Sequence, residues 1–75
     1  MMKTAQQEGI VAFYREEDAT IRVFDMVYDY KVENIKTGKC RWYSTHGAYT
    51  AAEDIQSAIS NFLGYRVLQR DIDYL

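Results

Sequence analysis

Thr50-Ala51-Ala52-Glu53-Asp54-Ile55-Gln56-Ser57-Ala58-Ile59-Ser60-Asn61-Phe62-Leu63-Gly64 is the stretch on which the architecture turns. Thr50 and Glu53 have the spacing of a capping box, in which the hydroxyl and the carboxylate each satisfy a backbone N–H of the first helical turn. Ala52, Ile55, Ile59, Phe62 and Leu63 recur at helical spacing and form one apolar stripe. Glu53, Asp54, Gln56, Ser57, Ser60 and Asn61 take the other side. Gly64 follows at the position where a helix ends in a left-handed residue. Two carboxylates in the first turn suit the positive end of the helix dipole.

Around this helix the chain reads as strands. Residues 10–15 are β-branched and aromatic, and Glu16-Glu17-Asp18-Ala19 is an acidic turn. Residues 20–35 read as one long strand whose alternation changes phase: Ile21 and Val23 share one parity, while Phe24, Met26, Tyr28, Tyr30 and Val32 share the other. A β-bulge or sharp bend near Asp25 is the expected cause. Lys36-Thr37-Gly38-Lys39 is the clearest turn, with Gly38 free to take a positive φ. Residues 39–45 pair back on 28–35, with Cys40, Trp42 and Ser44 on one face and Arg41 and Tyr43 on the other. Residues 65–75 close the chain as a last strand. The order β-β-β-α-β predicts an α+β fold: a two-layer sandwich of a small antiparallel sheet, three to four strands, with one helix on one face. Residues 1–8 are expected to be a flexible N-terminal segment before a single domain at 9–75. Thr4 and Gln7 could also cap a short opening helix, which leaves 4–15 open between helix and strand.

The chain's 75 residues give room for one core, and so short a chain buries only about 60–65% of its unfolded surface. One cysteine excludes an internal disulfide, which leaves a partner subunit as the usual source of extra stability. Cys40 reads as a small, half-buried apolar residue. A net charge of −2 implies neither a nucleic-acid nor a membrane partner by itself. The first eight residues lack the apolar core of a secretory signal, so a cytoplasmic protein is expected.

Catalytic chemistry has little to stand on. His46 is the only imidazole and Cys40 the only thiol, and their placement does not build a nucleophile pair. Two such ligands fall short of a structural zinc set, no calcium loop can be written, and the four glycines are isolated, so no phosphate cradle appears. No catalytic residue, metal ligand or cofactor is assigned, and the protein is expected not to be an enzyme.

Binding is better supported. Seven Tyr, three Phe and one Trp exceed what one helix and one sheet can hide. Rings ringed by charge are the composition of protein interfaces. Tyr28, Tyr30, Trp42, Tyr43, Arg66 and Tyr74 are the candidate partner-binding residues, on the sheet face away from the helix or along an edge strand, with Arg22, Lys31, Asp29 and Asp71 around them. A protein partner is expected, with a homodimer as one form of it. The alternatives are a nucleic-acid-binding domain, with Lys36, Lys39, Arg41 and Trp42 combining phosphate pairing with base stacking on the hairpin, and a small subunit of a larger assembly.

In length and layout the chain resembles the small inhibitors and accessory proteins of phages and mobile elements, such as the anti-CRISPR proteins. The resemblance rests on outline and on no motif. It implies a protein that binds or inhibits a larger target.

Overall fold

Alternation of period two places side chains on opposite faces of a strand, so the parity of each strand decides which residues meet the helix. A computed structural model describes residues 9–26, 29–44 and 52–75. Five antiparallel strands form one sheet: β1 (Ile10–Glu16), β2 (Ala19–Asp25), β3 (Asp29–Asn34), β4 (Cys40–Ser44) and β5 (Ile72–Tyr74). Their order across the sheet is β4-β3-β2-β1-β5. One helix, α1 (Ala52–Leu63), crosses one face. The fold is therefore the expected α+β arrangement, with five strands rather than three to four.

The extra strand comes from residues 20–35. They are two strands that pair with each other, Val23 opposite Val32 and Asp25 opposite Tyr30. The change of phase near Asp25 marks a reversal of the chain rather than a bulge. Reversal also changes which residues share a face: Tyr30 and Val32 lie with Ile21 and Val23. All four are fully buried. The sheet's irregularity lies instead in β1, where the register shifts between Ile10 and Ala12.

Two turns follow the expected chemistry. Glu17-Asp18 joins β1 to β2, with Glu16 opposite Ala19. After β3, the amides of Thr37 and Gly38 both donate to the carbonyl of Asn34, at 3.3 and 2.8 Å, and Gly38 sits at φ 79°. A Cβ there would be strained in that conformation. Asn34 adds its side-chain oxygen as acceptor for Lys36 N, at 3.0 Å.

Helix α1 buries Ile55, Ala58 and Ile59, and packs Phe62 and Leu63 at the margin. Ala52, expected in the stripe, is exposed. Thr50, the expected cap, and residues 1–8 lie outside the described residues. Gly64 ends the helix at φ 85°, its amide donating to Ser60 O at 2.9 Å.

The last segment departs from the expected long strand. Val67 N donates to Ser60 Oγ at 3.0 Å, and Gln56 Nε2 donates to Val67 O at 2.9 Å. Polar side chains of the helix thus satisfy this backbone, and it runs beside the helix with Val67 buried. Only Ile72–Tyr74 pair in the sheet, against β1.

The core, Ala12, Ala19, Ile21, Val23, Tyr30, Val32, Ile55, Ala58, Ile59, Val67 and Ile72, lies between helix and sheet. Two substitutions within it have opposite signs. Ile59 is 0% exposed, so Ile59→Ala costs about 2–5 kcal/mol in urea unfolding, a large share of a small domain's stability. The Tyr30 hydroxyl is buried without a hydrogen-bond partner among the described residues. Removing it in Tyr30→Phe relieves a desolvation cost and raises stability by roughly 1 kcal/mol, read as a higher urea midpoint.

Candidate functional site

The register of β2 defines the sheet face that the helix leaves uncovered. Ile21 and Val23 point to the core, so Thr20, Arg22 and Phe24 point away from it. Cross-strand partners extend this face in both directions. Phe24 is opposite Lys31, and Lys31 is opposite Trp42. Arg22 lies between Glu33 and Phe13, and Phe13 is opposite Asp73. Cys40 pairs with Glu33, and Ser44 with Asp29. The face is a weave of three rings and three cations.

Each ring has a cation over it. Arg15 lies 4.8 Å from the Phe13 centroid and Arg22 lies 4.9 Å from that of Phe24. Lys31 is shared, 5.5 Å from Phe24 and 5.9 Å from Trp42. Two of the cations are also neutralised. Arg22 donates to Glu33 through Nε at 3.1 Å and again through a terminal nitrogen, a pair that is largely shielded from solvent. Arg15 donates to Asp73 at 2.9 Å in full solvent, where such a pair is worth little. Lys31 has no carboxylate partner among the described residues. Trp42, at 52% exposure, is the large ring most open on this face.

The tyrosines went elsewhere. Tyr30, expected on the open face, is wholly buried on the helix side, because the turn before β3 reverses its parity. Tyr28 lies outside the described residues. Tyr43 and Tyr74 stand at the seam between sheet and helix. Tyr43 OH donates to Asn61 Oδ1 at 2.8 Å, and Tyr74 OH donates to Ala52 O at 3.2 Å. Tyr14 and Tyr65 do the same with the Glu16 carboxylate. A ring that is apolar in body and polar at its tip suits such a rim. Of the expected binding residues that are described, only Trp42 sits on the open face. Arg66 is exposed in the segment after α1. Among the charges expected nearby, Arg22, Lys31 and Asp29 do lie on this face, and Asp71 does not.

The hairpin candidates for nucleic acid are divided by the same pleat. Trp42 faces the open side, whereas Arg41 faces the helix side and donates weakly to Asn61 at 3.4 Å. Lys39 lies 5.8 Å from the Phe62 ring of α1, and Lys36 donates to Glu17 O at 3.1 Å. Cys40, expected half-buried, is exposed at the edge of the sheet. Phe13, Phe24 and Arg15 were not singled out by sequence. Their signal was the parity of Thr20, Arg22 and Phe24, legible once β2 is seen to end at Asp25.

A cavity of about 370 Å³ opens at the seam between Tyr43, Ser44 and the helix, with Asp54 as its one carboxylate. No cluster of three or more metal-ligating side chains occurs among the described residues. No described helix is long and apolar enough to cross a membrane. The chain matches no protein-family model, no curated protein and no solved structure.

Among the described residues the shifted ionisations are all phenols moved upward. For Tyr65 the leading cause is its hydrogen bond to Glu16, with burial second. For Tyr14 it is burial, then the Glu16 charge; for Tyr74, burial, then Glu53. A phenol whose folded pKa is raised contributes stability that is complete below its unfolded value of 10.0 and is lost as pH climbs past it. Urea midpoints should therefore fall above about pH 10. Tyr65→Phe should flatten that decline, and absorbance at 295 nm should show phenols that ionise later than free tyrosine.

Proposed function

We propose that this chain is a non-enzymatic protein-binding module whose open sheet face, centred on Phe24, Lys31 and Trp42, docks on a surface of a larger protein. The observation that carries this reading is the uncovered weave of Phe13, Phe24 and Trp42 with Arg15, Arg22 and Lys31. No described element packs over it. Rings and arginines held in fixed geometry are the residue types that dominate binding energy at protein interfaces. They lie on strands rather than loops, so little ordering entropy is lost on docking. A module of this kind acts by occupancy: it covers a site on its target and supplies no reaction.

The charge pattern narrows the partner. Arg22 and Arg15 are matched by Glu33 and Asp73, and of the three cations on this face Lys31 is left, among the described residues, without a counter-ion between two rings. A partner carboxylate seated on Lys31, with apolar groups against Trp42 and Phe24, complements this arrangement.

Nucleic acid fits less well. Bases stack on free ring faces, and here cations already occupy a face of each ring. Backbone binding needs a sustained positive field, and two of the three cations are neutralised within the molecule.

A photo-activated benzophenone side chain placed at Thr20 or Phe24, and separately at Ser57 on the outer helix, tests the face. Irradiated cells should give a protease-sensitive adduct heavier than two copies of the chain from Thr20 or Phe24, and none from Ser57. Adducts from Ser57 alone, or adducts destroyed by nuclease, would overturn the reading. With a partner in hand, Trp42→Ala should weaken binding by about 2 kcal/mol, roughly thirtyfold, with helix content unchanged by circular dichroism.

A further inference from the structure

We propose that the partner nearest to hand is a second copy of this chain: two β4 strands pair antiparallel about a two-fold axis at Trp42, joining two sheets into one. The inference rests on the open-face reading and gives it an occupant at the sheet's edge.

The backbone shows which groups are free. Asn34 N donates to Lys39 O at 2.8 Å, and Ile35 N donates to Thr20 O at 2.9 Å. In an antiparallel ladder hydrogen-bonded and non-hydrogen-bonded pairs alternate. Arg41 and Tyr43 therefore bond inward to Val32 and Tyr30. Cys40, Trp42 and Ser44 sit in the alternate positions opposite Glu33, Lys31 and Asp29, so their N–H and C=O groups point outward. No described strand pairs with them. These three residues form a short, regular edge without proline.

The side chains choose the register. A two-fold centred on Trp42 sets Trp42 against its own copy, Cys40 against Ser44, and Arg41 against Tyr43. All five residues of β4 are paired by about six ladder hydrogen bonds. Rings meet rings on the open face, and a guanidinium meets a phenol on the helix side, with no like charges opposed. A two-fold centred on Arg41 puts two guanidinium groups directly opposite, which destabilises it. Avoidance of opposed like charges thus favours the Trp42 register over the Arg41 one.

The joined sheet also bears on the docking of a larger protein. Five strands spaced about 4.8 Å apart, with about six residues at about 3.4 Å each, give an open face of roughly 500 Å². A stable interface covers about 800 Å² on each partner. Two faces joined through Trp42 exceed that, and present one continuous weave running from Phe13 of one copy to Phe13 of the other.

A disulfide trap tests the register. Hydrogen-bonded antiparallel pairs hold Cα atoms about 5.5 Å apart, within disulfide range, whereas residues 40 and 40 of the two copies are separated by about 14 Å. Ser44→Cys should therefore cross-link to Cys40 of the other copy under mild oxidant. It should run as a covalent dimer on non-reducing gels, more than tenfold above wild type. Cys40→Ser combined with Ser44→Cys should not cross-link. Ser57→Cys, which keeps Cys40, is the control for random collision. Light scattering at tens of micromolar should give twice the 8.8 kDa chain mass for wild type and a single chain mass for Trp42→Lys.

Equal trapping by Ser44→Cys and Ser57→Cys, or a single chain mass for wild type at every concentration, overturns the second copy as partner. If the Thr20 and Phe24 adducts with a larger protein persist in that case, the open-face reading stands and only this occupant is lost. If the covalent dimer forms and no heavier adduct appears, the dimer stands and the docking of a larger protein falls.

Discussion

A twelve-residue helix can blanket one face of a five-stranded sheet and no more. Every other feature of the molecule answers to that limit. On the covered side, Ile55, Ala58 and Ile59 close a compact aliphatic core over Ile21, Val23, Tyr30 and Val32. On the other, no described element forms a second layer, and the sheet's own cations lie over its rings. The stems of Arg15, Arg22 and Lys31 lie along Phe13, Phe24 and Trp42 while their charges stay in water or meet a carboxylate.

The tyrosines complete this picture from the rim. Tyr14 and Tyr43 pack at the core margin, Tyr65 and Tyr74 are exposed, and each of the four sets its hydroxyl on a polar acceptor. They extend the covered side outward instead of furnishing the open one. An abundance of tyrosine pointed to surface rings, and the rings found on the open face among the described residues are Phe13, Phe24 and Trp42.

Helix α1 was legible because its signals are local: a stripe, two acids and a terminal glycine act within a few residues of one another. The Gly38 turn was legible for the same reason. The reversal after Asp25 carries no such mark, since Met26-Val27-Tyr28 contains neither glycine, proline nor asparagine. A bulge and a turn both shift the phase of alternation, and only pairing between distant residues, Asp25 with Tyr30, tells them apart. From that one ambiguity followed the placement of Tyr30 on the wrong face and the neglect of Phe13 and Phe24. The shortness of β5 was hidden for a different reason. Residues 65–75 alternate as a strand should, but Ser60 and Gln56 capture the backbone at Val67, a contact that only the folded helix creates.

The two edges of the sheet are not equivalent, and the difference bears on how so small a domain persists. At one edge β5 offers three residues and ends in exposed Asp73, Tyr74 and Leu75, too short a template for another strand to extend. At the other, β4 is longer and carries its charges, Lys39 and Arg41, on the helix side, where Phe62 and Asn61 engage them. On the open face Glu33, Lys31 and Asp29 stand on β3 opposite Cys40, Trp42 and Ser44, and Lys31 is drawn to the Trp42 ring; among the described residues no charge lies on the outer side of this edge. In the proposed dimer, pairing through β4 would leave two β5 edges exposed and no further β4, so growth would stop at two copies for that geometric reason.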